Sequence, residues 1–360
     1  MLAKLIVPVF IVVLAGFGIL LFGDLFSKAA LSITSDPAGE KVVLDGEEVG
    51  ATPFFSDQLA KGEKTLSFGG FNQKINLTGG ALTVVNWVDG PEETFSAGEV
   101  IWLSTSANSE LLVIAKPGAQ VFLDDKEIGA SPLSKSVDPG EYTLELKKDG
   151  YFTRSIKIAI RAGFRLNVSA SLSLNPFPLD YAQDKPAELK ELSSPSPSLK
   201  VYDLSSNQPL LTGDYVGWAK AAAFWDSRAE DRITYDFYIT FEGKLYDNQG
   251  SETSVDALEQ ATGEKAVGYL GDSSAAISSG ASSTLNSLSA KLYPPVPMVE
   301  ILQTGTGFLR VRSGPGTSYS EIGRATPGDK YKYLGEEGDW LKIDFNGQEG
   351  WVSKEFSKKI

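Results

Sequence analysis

The chain of 360 residues contains neither cysteine nor histidine. Without cysteine it forms no disulfide, carries no thiol nucleophile or thiolate metal ligand, and lacks the residue that anchors a bacterial lipoprotein. Without histidine it has no Ser-His-Asp triad and no histidine-ligated zinc. Carboxylate catalysis, Ser-Lys chemistry and oxygen-ligated calcium stay open, but none has a recognisable motif here. We therefore predict a protein that is not an enzyme, with no catalytic residue, metal site or cofactor.

Positive charge is also scarce, since 33 lysines and arginines face 46 aspartates and glutamates and the net charge is -13. A nucleic-acid-binding surface needs a basic face, so this class of partner is excluded. An acidic balance suits a soluble and exposed surface. The length allows two to four domains of about 100–200 residues, or more if the modules are small.

One passage of the chain occurs twice. Residues 37–53 read PAGEKVVLDGEEVGATP, and residues 117–132 read PGAQVFLDDKEIGASP. Each copy starts with a Pro/Gly turn and continues with alternating apolar residues that reverse at Asp45-Gly46 or Asp124-Asp125, which predicts a hairpin. Self-similarity of this kind indicates that one supersecondary unit is reused. We predict two small all-β units.

Each copy continues into a strand that begins with glycine, at Gly62–Phe68 and at Gly140–Leu146. At these residues the chain resembles the PEGA family, although the literal Pro-Glu-Gly-Ala signature is replaced by Pro-Ala-Gly-Glu and Pro-Gly-Ala. The second copy also matches the closing half of the family pattern in residues 138–142 (DPGEY) and 148–151 (KDGY). The resemblance implies β-sandwich modules of the kind common in prokaryotic surface and envelope proteins.

The N-terminus carries the apolar run Leu5–Phe22, which is free of charge. About 18 apolar residues in a helix, at 1.5 Å per residue, just span a bilayer core. We predict a signal anchor whose N-terminus, with Lys4, lies in the cytoplasm under the positive-inside rule, and whose C-terminal domains are extracytoplasmic. A cleaved signal peptide is the alternative, because residues 27–29 (SKA) offer small residues at suitable spacing.

The middle of the chain lies between two segments of biased composition that we predict to be linkers. Within it, Val216–Asp231 has helical composition and Ile233–Leu245 alternates like a hairpin that turns at Glu242-Gly243. This predicts a small α+β domain of unknown role. It contains an acidic cluster, made of Asp226, Glu230, Asp231 and Asp236. A carboxylate pair could hydrolyse a glycosidic bond, but we favour a solvated helix face.

The C-terminal segment carries three ordered motifs: residues 309–316 (LRVRSGPG), 338–343 (GDWLKI) and 350–352 (GWV). Alternation at Phe308–Arg312, a strand at Lys330–Leu334 and a hairpin turning at Asn346-Gly347 predict five short strands in a small closed or partly closed barrel. The three motifs resemble a bacterial Src-homology-3-like (SH3-like) domain.

That resemblance implies a shallow groove, lined with aromatic side chains, that binds peptidoglycan peptides or other cell-wall polymers. The candidate lining residues are Tyr319, Tyr331, Tyr333 and Trp340. Trp340 could equally be a core residue, and we interpret Trp351 as core. Where the family pattern has asparagine this chain has Arg310, so it is undecided whether this position contacts a ligand as it does in the family.

These patterns together predict a mainly β, multidomain array that begins with one transmembrane helix. The predicted segments are an anchor (1–30), two PEGA-like β-sandwiches (31–104 and 105–174), a Pro/Ser-rich linker (175–200), the α+β domain (201–272), a Ser/Ala/Pro linker (273–297) and the SH3-like barrel (298–360). The order suggests a non-enzymatic, membrane-tethered envelope protein that binds peptidoglycan or another wall polymer, with the PEGA-like modules as spacers that could contact other envelope proteins. Two alternatives stay open: a wall-remodelling enzyme with its site in residues 201–272, and a cytoplasm-facing interaction scaffold.

Overall fold

The computed structural model describes residues 28–177, 190–205, 213–228, 233–272 and 276–360. The apolar run Leu5–Phe22, on which the predicted anchor depends, lies outside these residues. Within the described ranges, no helix combines the length and apolar character needed to cross a bilayer. The chain forms two compact units, Met1–Leu288 and Ser289–Ile360, which are described separately. The described residues are mainly β, as predicted.

The two copies of the repeated passage fold into the same series of strands. The first copy contains β1 (Lys28–Asp36), β2 (Lys41–Leu44), β3 (Glu47–Ala51), β4 (Phe54–Ala60), β5 (Gly62–Phe68), β6 (Phe71–Leu77) and β7 (Leu82–Val88). An intervening strand is β8 (Ala97–Thr105). The second copy contains β9 (Glu110–Lys116), β10 (Gln120–Leu123), β11 (Lys126–Ala130), β12 (Leu133–Ser136), β13 (Gly140–Lys147), β14 (Arg154–Ile160) and β15 (Phe164–Ser171).

The predicted hairpin turns are confirmed in both copies. Asp45 and Gly46 have φ values of 51° and 89°, and Asp124 and Asp125 have 46° and 65°. A two-residue hairpin loop of this type needs left-handed backbone at both central positions, which glycine and aspartate tolerate best. The first aspartate of each turn also accepts a backbone N–H from the neighbouring strand, 2.8 Å from Thr65 and 2.7 Å from Thr143.

The two repeats share one seven-stranded sheet, in the order β12-β9-β15-β8-β7-β1-β4. Strand β8 pairs with the last strand of each repeat, β7 on one side and β15 on the other, and both pairs are antiparallel. Beyond them β1 and β9 are parallel to their neighbours, and β4 and β12 close the edges. The strand order is therefore mirrored about β8.

Each repeat adds a four-stranded sheet, in the orders β3-β2-β5-β6 and β11-β10-β13-β14. Successive residues of a strand point to opposite faces of its sheet. Val85 of β7 and Val100 of β8 belong to the core of the first repeat, whereas their neighbours Val84 and Ile101 belong to that of the second. The two small sheets therefore cover opposite faces of the shared sheet, as a pseudo-two-fold axis along β8 would place them.

The middle domain has one mixed sheet and two helices. Its strands are β16 (Glu191–Leu192), β17 (Leu199–Asp203), β18 (Phe237–Thr240), β19 (Leu245–Asp247), β20 (Glu252–Thr253) and β21 (Lys265–Leu270), and its helices are α1 (Tyr215–Asp226) and α2 (Ser279–Leu292). The sheet order is β16-β17-β21-β18-β19-β20, with β17, β21 and β18 parallel. The predicted helix forms up to Asp226, and the predicted hairpin turns at Gly243, with φ 87°.

The two predicted linkers contribute ordered structure. Phe177, in the first of them, is buried in the core of the middle domain, and the same segment contains β16. Helix α2 lies within the second, so its prediction as a flexible segment is wrong. Ala281, Leu285 and Leu288 are buried at helical spacing, which the high serine content of the segment masks.

The middle domain packs on the repeats rather than standing apart from them. The rings of Phe152 and Trp225 lie 4.8 Å apart between centroids. Arg228 forms an ion pair with Asp36, with Nε 2.8 Å from the carboxylate, and the indole of Trp218 donates to the carbonyl of Pro176 at 2.6 Å. One hydrophobic core joins these elements.

The second compact unit is the predicted small barrel. Its strands are β22 (Met298–Ile301), β23 (Leu309–Arg312), β24 (Glu321–Ala325), β25 (Lys330–Glu337), β26 (Trp340–Phe345), β27 (Gln348–Ser353) and β28 (Ser357–Lys359), in the order β24-β23-β27-β26-β25-β22-β28. These are seven strands where the sequence predicted five. The additional terminal strands β22 and β28 pair with each other. The predicted turn at Asn346-Gly347 is confirmed, with φ values of 55° and 84°.

Candidate functional site

A cleft of about 350 Å³ opens on the barrel, bordered by the loop after β22, strand β23, the start of β26 and the segment after β27. Its lining combines aromatic, cationic, hydroxyl and acidic side chains: Thr304, Gly305, Thr306, Phe308, Leu309, Arg310, Arg312, Thr317, Trp340, Ser353, Glu355 and Phe356. We refer to it as the barrel cleft.

Strand alternation places the two arginines of the barrel cleft on one face. Leu309 and Val311 are buried in the barrel core, so Arg310 and Arg312 point to the opposite side of β23. On β26 the core residues are Leu341, Ile343 and Phe345, and Trp340 lies on the other face, paired across the strands with Ser353. The period-two pattern thus brings an indole and two guanidinium groups to one cleft.

The arginines of this face form ion pairs and hydrogen bonds with other residues of the barrel. Arg310 and Arg324 both bind the carboxylate of Glu321, with Nε to oxygen distances of 3.1 and 2.8 Å. The hydrogen bond from Arg324, assisted by the charges of the nearby arginines, lowers the pKa of Glu321. Arg312 donates from Nη1 to the carbonyl of Tyr319 at 2.7 Å. Three arginines therefore lie near the carboxylate of Glu321, and with Glu355 of the cleft lining included they leave this face a small cationic excess.

Of the four predicted lining residues, Trp340 lies at the barrel cleft and the three tyrosines do not. Tyr319 is 47% exposed, and its ring lies over the backbone of the Pro/Gly turn, where a Cβ on Gly314 would come within 2.4 Å of the ring. The exposed face of Tyr319 is a surface separate from the cleft.

Tyr331 and Tyr333 lie half-buried on β25 and pack against the barrel core. The ring of Tyr331 is 5.6 Å from that of Phe345, and its hydroxyl donates to Asp329 at 3.1 Å. Burial, together with this hydrogen bond, raises the pKa of Tyr331. The Nζ atom of Lys359 lies 4.0 Å from the ring centre of Tyr333. Both rings thus contact the barrel itself.

The interpretation of Trp351 as a core residue is wrong. Val352 is the buried residue of this part of β27, and Trp351 points to the opposite face, half-buried. Nζ of Lys342, its cross-strand partner, lies 5.7 Å from the indole centre. The inward position before Val352 is Gly350, where a Cβ would meet Val311 at 2.5 Å.

Several residues of the barrel cleft escaped the sequence analysis. Arg312 was not considered, and Arg310 was considered only as a position whose ligand contact was open, although the alternation with Leu309 and Val311 assigns both arginines to one face. Phe356 lies in the short 3₁₀ turn after β27, where no periodicity indicates a direction.

The two described residues of the predicted acidic cluster, Asp226 and Asp236, are bonded within the fold. Asp226 is only 8% exposed, and Oδ2 accepts from the backbone N–H of Tyr235 at 3.2 Å and from the hydroxyl of Tyr238 at 3.4 Å. Its prediction as part of a solvated helix face is therefore wrong, because the end of α1 packs against the segment leading into β18. Asp236 pairs with Lys265 at 2.8 Å. Glu230 and Asp231 lie outside the described residues.

A metal centre would need at least three ligating side chains close together. In the parts of the chain that the structure describes, no group of three or more aspartate or glutamate side chains is placed to hold a metal ion.

Comparison with known families agrees with both parts of this architecture. The PEGA domain profile matches residues 28–87 and 111–175, and the bacterial SH3 domain profile matches residues 307–358. The chain therefore contains two PEGA domains and a C-terminal bacterial SH3 domain. Modules of these two kinds are typical of cell-wall-binding proteins.

One relative of known name shares a short stretch with this chain. It is the Bacillus subtilis (strain 168) protein named "Putative N-acetylmuramoyl-L-alanine amidase YrvJ", and the identity is 44% over 48 residues. This stretch is 13% of the present chain and 9% of the relative, so the chain spans less than a tenth of the length of that protein.

Proposed function

We propose that this protein is a non-enzymatic, membrane-tethered component of the cell envelope that binds peptidoglycan or another wall polymer through the barrel cleft. The observation that carries the proposal is the meeting of Trp340, Phe308, Arg310 and Arg312 at one concave surface. Aromatic faces provide contact area at a low entropic cost, and guanidinium groups hold carboxylate or phosphate groups of a polymer.

The cationic excess near the cleft contrasts with the net charge of -13 of the whole chain. A polymer that carries carboxylates or phosphates would thus be attracted locally by a protein that is acidic elsewhere. Such binding weakens as salt rises, because exposed charges are screened over about 10 Å at 0.1 M salt.

The tethering part of the proposal is supported by the charge-free run Leu5–Phe22 and by Lys4 before it. On this basis the PEGA domains and the SH3 domain lie outside the cytoplasm. Protease treatment of intact cells tests the topology: degradation of the C-terminal domains supports it, and survival of these domains in intact but not in lysed cells would favour the cytoplasmic scaffold.

The non-enzymatic part of the proposal is supported by the absence of cysteine and histidine and by the internal partners of Asp226 and Asp236. The alternative is a wall-remodelling enzyme whose site lies in the middle domain. Zymography of the purified protein on peptidoglycan separates the two. A clearing zone that disappears in Asp226→Asn or Glu230→Gln would overturn the non-enzymatic proposal.

The binding claim is tested by sedimentation of the full-length protein with purified peptidoglycan sacculi. We expect Trp340→Ala and Arg310→Ala to weaken retention about tenfold each, which corresponds to about 1.4 kcal/mol. The matched control for Arg310→Ala is Lys332→Ala, which removes the same charge from an exposed site on β25 outside the cleft.

Two results would contradict the assignment of the site. The first is that wild-type protein does not sediment with sacculi, whether or not they retain their attached polymers. The second is that Lys332→Ala weakens retention as much as Arg310→Ala, since the effect would then follow net charge rather than the cleft.

A further inference from the structure

The first PEGA domain carries an open groove along its edge strand β6. Strand β6 is the last strand of its sheet and pairs only with β5. Beside it lie two adjoining cavities of about 730 and 240 Å³, both lined by Gln73. The floor is formed by residues of the shared sheet, among them Val100, Trp102 and Ser169. We call this surface the β6 groove.

Gln73 occupies an inward-facing position on β6. Its cross-strand partner is Leu66, which is fully buried, and directly paired residues of two strands point to the same face. The inward residues on either side of it, Phe71 and Ile75, are buried in the core. A polar and exposed side chain therefore stands in an otherwise apolar row, at the place where the groove opens.

The second PEGA domain shows the same position closed. Leu144 is the counterpart of Leu66, and its partner on β14 is Ile156, which is 3% exposed and part of the core. At the counterpart of Phe71 stands Arg154, whose side chain reaches down to Glu99 on the shared sheet. One repeat thus fills this space with its own side chains, and the other leaves it open with an amide facing it.

The walls of the β6 groove offer neutral hydrogen-bonding groups next to half-buried rings. The amide of Gln73 faces the groove, Asn72 and Asn76 border it from the outward face of β6, and Ser169 and Ser171 of the shared sheet also line it. The partly exposed rings are Tyr151 in the larger cavity and Trp102 in the smaller one. Amides and hydroxyls along a groove with a partly exposed aromatic ring in each cavity suit a chain rich in hydroxyl and amide groups.

The charged groups of the groove do not suit an anionic ligand. Its two lysines are already paired, Lys74 with Glu63 at 2.7 Å and Lys116 with Glu93 at 2.9 Å. Asp89, also in the lining, accepts the backbone N–H of Gly70 at 2.8 Å. A ligand that brings its own carboxylates or phosphates would meet these acidic groups, whereas a neutral one would not.

A buried donor lies in the wall of the larger cavity. Trp87 is 6% exposed and lines the cavity, and its indole Nε1 has no hydrogen-bond partner among the described residues. Gly98 lies against the Cε3 edge of the ring, so Nε1 is on the opposite edge. A buried indole N–H without a partner is unfavourable, and because Nε1 is closed off from solvent a ligand oxygen would reach it only if the wall of the cavity moved.

We propose that the β6 groove binds a neutral glycan chain, in which sugar hydroxyls and amides meet the amides of β6 while sugar faces rest against Tyr151 and Trp102. The site is independent of the barrel cleft, which lies in the other compact unit. An extended peptide added to the edge of β6 is the competing occupant, and the experiment below distinguishes it.

The test is titration calorimetry of the full-length protein with two neutral probes, a β-1,4-linked N-acetylglucosamine tetramer and cellotetraose. We expect binding of at least one probe by the wild type and at least tenfold weaker binding by Gln73→Ile, which installs the residue of the second repeat. Asn72→Ala, at an exposed position that needs no repacking, is expected to weaken binding by a smaller factor. Gln120→Ala removes an exposed amide outside the groove and should leave binding unchanged.

The outcomes separate this site from the one proposed above. Trp340→Ala should lose retention on sacculi and keep oligosaccharide binding. Gln73→Ile should lose oligosaccharide binding while its thermal unfolding temperature stays that of the wild type, so that the loss is not caused by misfolding. The proposal is overturned if neither probe binds the wild type at millimolar concentration, or if both Gln73→Ile and Asn72→Ala bind like the wild type. It is also overturned if Trp340→Ala, which leaves the β6 groove unchanged, abolishes oligosaccharide binding. The same holds if extended peptides bind along β6 and the oligosaccharides do not.

Discussion

The carboxylate of Glu99 on β8 accepts a hydrogen bond from Nε of Arg154 on β14 at 2.5 Å, although the two side chains are only 2% and 7% exposed. Asn86 of β7 donates to the other carboxylate oxygen at 2.6 Å. Three polar side chains from the first repeat, the intervening strand and the second repeat thus meet inside the protein. They satisfy one another at the joint between the two PEGA domains.

Removing one member of this buried pair should be strongly destabilising. In Arg154→Met the carboxylate of Glu99 stays buried without its cation, and the expected loss is about 3–5 kcal/mol in the free energy of unfolding. Urea denaturation of the full-length protein measures it.

The double variant Glu99→Leu, Arg154→Met tests whether the charge is the cause. Because both ionic groups are then gone, we expect it to recover part of the stability lost in Arg154→Met. A double variant that is as unstable as the sum of the two single losses would refute this explanation.

The contact between Phe152 and Trp225 should couple the second PEGA domain to the middle domain. Phe152→Ala removes a buried ring from their common core, and the expected loss is about 3–5 kcal/mol. Hydrogen exchange measures the effect separately in α1 and in β5. We expect protection to fall in α1 and to persist in β5, and an equal fall in both would contradict the local coupling.

Tyr246 provides a test of stabilisation in the middle domain. Its hydroxyl is buried and has no partner among the described residues, so Tyr246→Phe should leave stability unchanged or raise it by about 1 kcal/mol. The control is Tyr238→Phe, which removes the hydroxyl that bonds to Asp226 and should destabilise. A larger loss in Tyr246→Phe than in Tyr238→Phe, measured by urea denaturation, would be inconsistent with this reasoning.

The protein should lose stability at alkaline pH. Burial raises the pKa of Tyr215 and Tyr246 above the ordinary phenol value of about 10. The unfolded chain therefore releases these protons first, so the contribution is complete below about pH 10 and is lost as pH rises through the folded pKa. Urea denaturation at about pH 8 and about pH 11 measures the loss, which should be smaller in Tyr246→Phe. An equal loss in that variant would show that Tyr246 does not contribute.

Gly314 should tolerate no side chain, because the ring of Tyr319 occupies the space. Gly314→Ala would displace the ring or the turn at a cost of about 1–3 kcal/mol, seen as lower hydrogen-exchange protection of β23 and β24. Gly305→Ala, where a Cβ meets nothing within 4 Å, is the matched control. If Tyr319→Ala does not restore protection in the Gly314→Ala background, the steric explanation fails.

Local patterns predicted the hairpins and strands well because these depend on neighbouring residues. The turns at Asp45-Gly46 and Asn346-Gly347 follow from residues that tolerate left-handed backbone. The role of β8 could not be predicted, because its pairing with β15 joins residues far apart in sequence, such as Thr105 with Phe164 and Gly98 with Ser171. The helix α2 was missed because three apolar residues at helical spacing were outweighed by many serines.

Of the four predicted lining residues, only Trp340 lies at the barrel cleft. Trp340 was identified from a sequence motif similar to that of a known family, and it lies at the cleft. Tyr331 and Tyr333 occupy positions on strand β25 from which their rings pack against the barrel core. Whether a ring on a strand faces a cleft or the core depends on the register of that strand against its neighbours. Composition carries no information on that register.

The shared strand β8 has a mechanical consequence. Two modules joined by a flexible segment would pivot and stretch, whereas two modules that both hydrogen-bond to one strand form a single stiff block. A pull on the two ends of this block, at β1 and β15, must break hydrogen-bonded ladders of the shared sheet before the block lengthens. As part of a tether, the PEGA pair would therefore hold a fixed distance under load.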